Sequence, residues 1–68
     1  MNALAEATRM LGDMELSAGQ LAQLRALGRK YAQRSFEGGS PEELRARLRA
    51  DIREMLTPEQ REALGRRE

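Results

Sequence analysis

Apolar residues recur along this chain at helical spacing in four blocks, separated by short breaks rich in glycine and polar residues. In the first, Leu4, Ala7, Leu11 and Met14 fall at i, i+3, i+7 and i+10, one stripe of a helix over about 2–12. Asn2 is placed to cap it and Gly12-Asp13 to break it. The second block spans 17–37. Leu21, Leu24, Leu27 (or Gly28) and Tyr31 form its apolar stripe, and Gly38-Gly39 ends it. Its start is a capping box, with Ser17 at N-cap and Gln20 at N3, and Leu16 is positioned to staple onto Leu21.

The third block, 40–56, opens with Ser40 at N-cap, Pro41 at N1 and Glu43 at N3. Leu44, Leu48, Ile52 and Met55 share one face, and on the other Glu43 and Asp51 are each four residues from Arg47. The fourth, 57–65, repeats the start signal with Thr57, Pro58 and Gln60 but offers only Ala63 and Leu64 to a core. It must dock on something or fray, and the tail Arg66-Arg67-Glu68 is expected to be mobile. The pattern predicts an all-α single domain over 1–68. The blocks 17–37 and 40–56 form a helical hairpin across the Gly-Gly-Ser turn, flanked by two short helices.

Composition sharpens this picture. Leucine and alanine are the commonest apolar residues, and only Thr8, Ile52 and Thr57 are β-branched, which favours helix. A chain of this length buries roughly 60% of its unfolded surface. With no cysteine to staple it, helix pairing between copies is the expected source of further stability, hence a homo-oligomer. The absence of cysteine and histidine excludes thiol catalysis, Ser-His-Asp triads and thiolate or imidazole metal sites. No apolar run is long enough to span a membrane. The opening Met1-Asn2-Ala3-Leu4-Ala5-Glu6 lacks a basic region ahead of an apolar run and does not read as a signal peptide. The expected compartment is the cytoplasm, or the periplasm if a leader has been removed.

The starts of the second and fourth blocks echo one another. Leu16-Ser17-Ala18-Gly19-Gln20 and Leu56-Thr57-Pro58-Glu59-Gln60 both read L-[ST]-x-x-Q. Local capping physics alone accounts for such a pattern in any helical protein. The pair also resembles the paired LTxxQ pentapeptides of the bacterial Spy/CpxP-type periplasmic proteins, over roughly residues 14–65. The second motif matches fully, the first has Ser17 for threonine, and this chain is the shorter. The resemblance implies a helical, often antiparallel homodimer with ATP-independent binding of partly unfolded proteins or a role in envelope stress. It also implies that Leu16, Ser17, Gln20, Leu56, Thr57 and Gln60 are structural motif positions. Clients would meet apolar and basic side chains on the long helices.

Charge is uneven. Residues 17–36 hold Arg25, Arg29, Lys30 and Arg34 and no acid, whereas residues 1–16 are net acidic. Arg25, Arg29 and Arg34, with Leu24, Leu27 and Tyr31, form the candidate partner-binding set. The plainer alternative is that these cations face the acids of the first or third block. Nucleic acid is a minor alternative partner, because few charges and only two aromatics, Tyr31 and Phe36, are present for it. A helix-turn-helix reading of 40–64 lacks a further recognition helix. Met10 and Met14 could offer two thioethers to Cu(I), but core filling accounts for them equally. Glu42-Glu43 and Glu59 with Glu62 lie in first helical turns, where acids complement the helix dipole, so no catalytic pair is assigned. Phe36 is either an interface aromatic or an anchor for the hairpin turn.

The chain is therefore expected to be a non-enzymatic protein-binding module without metal or cofactor. The first reading is a holding chaperone or stress-associated protein of LTxxQ type. The alternative is a structural or adaptor subunit docked on one larger partner or on its own copies.

Overall fold

The computed structural model describes residues 2–67 and is all-α. Its helices are α1 (Ala3–Leu11), α2 (Ala18–Phe36), α3 (Pro41–Met55) and α4 (Pro58–Arg67). α2 and α3 form the hairpin, and α1 packs against both. The molecule measures 34 × 24 × 17 Å. Its smallest dimension is less than two full helix diameters, so each helix keeps a broad outer face.

Each helix begins where its sequence provides a start. The Asn2 side chain accepts a hydrogen bond from the Ala5 N–H at 3.0 Å and caps α1. Gly12 terminates that helix at φ +63°, a left-handed conformation that costs glycine little. Pro41 occupies the first turn of α3, but Ser40 makes no side-chain cap bond there. Gly38, at φ +96°, carries the turn between α2 and α3.

The core consists of Ala3, Ala7 and Leu11 from α1, Leu24 and Tyr31 from α2, Leu44, Leu48 and Ile52 from α3, then Leu56 and Leu64. Met10, Met14, Leu16, Leu27 and Met55 pack around it. The face predicted for α3 is the one that is buried. The stripe predicted for α1 is rotated: Ala3, Ala7 and Leu11 point inward at i, i+4 and i+8, and Leu4 is 47% exposed. Two alanines let α1 lie close on the hairpin, which turns the neighbouring leucine to the flank. On α2 the stripe is narrower than predicted. Leu21 is 42% exposed while Leu16 packs on the core, so the stapling pair does not draw Leu21 inside.

Two further expectations are corrected. Asp51 does not pair with Arg47 along α3; it reaches α2, accepting a hydrogen bond from the Tyr31 hydroxyl and lying 3.8 Å from Lys30 Nζ. The Arg66–Arg67 segment is helical rather than mobile. Arg67 donates to the Leu11 carbonyl at 2.7 Å and sits 3.4 Å from Asp13, which ties the end of α4 to the end of α1. Glu68 lies outside the described residues.

Candidate functional site on the outer face of α1 and α2

The two pentapeptides meet. Ser17 Oγ accepts from the Gln20 N–H at 3.1 Å while Gln20 Oε1 accepts from the Ser17 N–H at 2.9 Å. Thr57 and Gln60 repeat this at 3.1 and 2.9 Å. Each glutamine then crosses to the other motif. Gln20 Nε2 donates to Gln60 Oε1 at 2.6 Å and to the Met55 carbonyl at 3.3 Å. Gln60 Nε2 donates to Gln20 Oε1 at 3.2 Å and to the Glu15 carbonyl at 3.0 Å. Both amides thereby use two donor hydrogens and accept two hydrogen bonds. The arrangement is a local two-fold: each amide reaches the carbonyl just before the other motif's leucine. It joins the N-termini of α2 and α4 across forty positions of sequence. Leu56 is buried and Leu16 half-buried beneath it. The junction is fully engaged within the chain and serves as a clamp.

The candidate partner-binding residues separate into two groups. Leu24 and Tyr31 are buried in the core, so neither is presented to a partner. Tyr31 is 1% exposed and hydrogen-bonded to Asp51. Burial first, and then this bond and the Asp51 charge, push its phenol up to about 12. Lys30 Nζ and the Arg34 guanidinium lie 5.5 and 5.4 Å from the Tyr31 ring centroid, within cation–π range. Arg34 of the candidate partner-binding set and the neighbouring Lys30 thus belong to a cluster with Tyr31 and Asp51. Leu27 is half-buried and lines a shallow hollow between α2 and α3 with Lys30, Asp51 and Met55.

Arg25 and Arg29 differ. Both are exposed, and neither forms an ion pair among the described residues. They line a groove with Asn2, Ala3, Leu4, Gly28 and Ala32. Gly28 lies under Leu4, close enough that a β-carbon built on it would be 3.7 Å from the leucine side chain. Along α2, Leu21, Arg25, Arg29, Ala32 and Phe36 recur on the same side at helical spacing. Phe36 is 93% exposed and does not anchor the hairpin turn. Among the described residues, the large hydrophobics that remain exposed are Leu4, Leu21 and Phe36. They all belong to this one face, interleaved with two guanidinium groups.

Sequence reasoning placed Leu4 and Leu21 in the core and so missed them here. The available signal was the width of α2's apolar arc: Leu21 and Phe36 lie well around the helix from Leu24 and Tyr31. A second group was missed as well. Arg9, Arg49, Arg53 and Arg67 line a hollow with Met10 and Leu64. They come from three helices, and no local pattern in the chain connects them.

No helix among the described residues is long and apolar enough to cross a membrane. Comparison with models of known protein families, with characterised proteins and with solved structures finds no match.

Proposed function

We propose that this protein is a non-enzymatic holding protein that binds flexible polypeptide segments on the outer face of α1 and α2. One observation carries the reading: Leu4, Leu21 and Phe36 are exposed along the side of α1 and α2 where Leu4, Arg25 and Arg29 line a groove. Full burial of such side chains is worth roughly 1.5–3 kcal/mol each. Much of that sum is offset by the entropy of association, so binding is weak and reversible. Weak, multi-point contact suits a protein that holds many sequences and releases them without a nucleotide cycle. The arginines favour clients whose apolar residues are flanked by aspartate or glutamate. The paired L-[ST]-x-x-Q motifs, resembling those of the Spy/CpxP-type proteins, support the same reading.

The test is aggregation of a chemically unfolded acidic client, followed by light scattering with increasing amounts of this protein. The wild type is expected to delay aggregation in a dose-dependent way. L21D combined with F36D should abolish the delay while far-ultraviolet circular dichroism is unchanged, since both residues are exposed. Undiminished holding by that variant would reject this face. No delay by the wild type, with stoichiometric binding to one folded partner, would favour an adaptor subunit instead.

A further inference from the structure

The outer face of α1 and α2 is made of helices, and that limits the form in which another chain can lie on it. Arg25, Gly28, Arg29 and Ala32 sit in the interior of α2, where backbone N–H and C=O groups close bonds within the helix. An extended client therefore finds no strand edge to pair with there. Side chains do not replace one. Among the described residues, the groove's lining has two guanidiniums, which only donate, and no carboxylate. The Asn2 side-chain oxygen, also in the lining, already accepts from the Ala5 N–H at 3.0 Å. An extended segment pressed onto this surface would bury N–H groups with nothing to accept them, which is unfavourable. A helix satisfies the same groups internally.

The anchors are spaced for a helix of ordinary length. Leu21 and Phe36 are both exposed and lie about 22 Å apart along α2 at the helical rise. Leu4 comes over Gly28, between them. Ala3, Gly28 and Ala32 are small, so a helix laid along the groove can approach closely. Arg25 and Arg29 stand about one turn, roughly 6 Å, apart. On a helical client two acids at i and i+4 repeat that spacing; on an extended client the matching pair is i and i+2. The two forms thus call for different sequences.

Resting on the reading that this face holds polypeptide, we propose that the client docks as an acidic amphipathic helix. Its apolar stripe runs along Leu4, Leu21 and Phe36, and carboxylates at i and i+4 meet Arg25 and Arg29. Charge complementarity selects the acids: both arginines are exposed, and neither has an ion-pair partner among the described residues. Such a segment is disordered when free and gains its helix on docking.

Two fluorescent peptides of about sixteen residues, equal in composition, test this. One sets leucines at helical spacing and glutamates at i and i+4. The other rearranges the same residues so that apolar and acidic side chains alternate. Affinity for the full chain is read by fluorescence anisotropy, and the bound form by the peptide's own α-carbon chemical shifts in NMR. The helical pattern is expected to bind at least about tenfold more tightly and to take helical shifts on binding. R25E combined with R29E should weaken that binding at least about tenfold, with circular dichroism unchanged, and should bind the same peptide carrying lysine for glutamate. Equal or tighter binding of the alternating peptide, a bound peptide without helical shifts, or undiminished affinity in the double variant would overturn the proposal. If neither peptide binds while the wild type still delays aggregation of an unfolded acidic client, the helical mode is overturned and the holding reading stands. If neither binds and no delay is seen, both fall.

Discussion

α2 and α3 are partners in one hairpin, yet they spend their apolar residues differently. In α3, Leu44, Leu48 and Ile52 are buried, Met55 packs against the core, and no large hydrophobic is left exposed. In α2, a longer helix, Leu24 and Tyr31 are buried while Leu21 and Phe36 lie outside. Across the hairpin, Asp51 of α3 engages Tyr31 and Lys30 of α2, and Arg45 engages Glu6, whereas Arg25 and Arg29 of α2, like Arg49 of α3, form no ion pair among the described residues. α3 is committed to the fold. α2 divides its surface between fold and partner, which is why the proposed polypeptide face lies on it.

The division predicts opposite responses to the same truncation. Ile52 is fully buried, so Ile52→Ala should cost about 2–5 kcal/mol, a large part of what a small domain has. Urea denaturation would show this as a lower midpoint. Leu21→Ala should change stability by about 0.5 kcal/mol or less and reduce client holding instead. If both variants lose stability equally, Leu21 is a core residue and the division between the helices fails.

The next effect concerns the clamp that seats α2. In an isolated capping box glutamate serves as well as glutamine. Here Gln60 Nε2 also donates to Gln20 Oε1 and to the Glu15 carbonyl. Gln60→Glu keeps the local cap but removes both donors and sets a carboxylate against two acceptor oxygens. We expect a loss of about 1–3 kcal/mol by thermal denaturation, beyond the ~1 kcal/mol for a lost cap in Thr57→Ala. A neutral Gln60→Glu would mean that the two motifs cap their own helices and nothing more.

These contrasts also show what the chain discloses before folding. α3 was legible because one face holds every large apolar residue at regular spacing and Pro41 marks its start. The capping boxes were legible because they are local. The clamp between them was not, since a capping pattern does not say that two caps will touch. The apolar spacing of α1 favours Leu4 over Ala3 because leucine is the more hydrophobic, yet close packing on the hairpin selects the smaller side chain. Leu24 and Tyr31 stand both on the apolar stripe and among the arginines, a position that fits core or partner equally, and the chain's own core takes both. The arginine hollow had no signal in sequence order, because Arg9, Arg49 and Arg67 are brought together only when α1 and α4 dock.

Tyr31 provides a contrast in pH. Its phenol is raised to about 12 by burial and by Asp51, so the folded state keeps its proton where the unfolded chain, at about 10, has lost it. The stabilisation is complete below about pH 10 and is lost as pH rises through about 12. Tyr31→Phe should remove this slope from a plot of stability against pH. The chain has one tyrosine and no tryptophan, so near-ultraviolet phenolate absorbance reports the titration directly. Ionisation near 10 in the folded protein would show that the ring is open to water and that α2 is less committed to the core than its burial indicates.

Gly28 gives the smallest effect and the most direct test of α2's divided role. Glycine inside a helix costs about 1 kcal/mol relative to alanine. A β-carbon here would meet Leu4 at 3.7 Å, ordinary contact that requires no rearrangement. Gly28→Ala should therefore raise stability by up to about 1 kcal/mol, seen as a higher thermal midpoint. The added methyl would also occupy the groove between Arg25 and Ala32, so client holding should fall as stability rises. Opposite signs at one position would mean that glycine serves the binding face at some cost to the helix. A gain in stability with unchanged holding would place the client contacts at Leu21 and Phe36 alone. A loss of stability would mean that α1 lies too close to α2 for any side chain at this position.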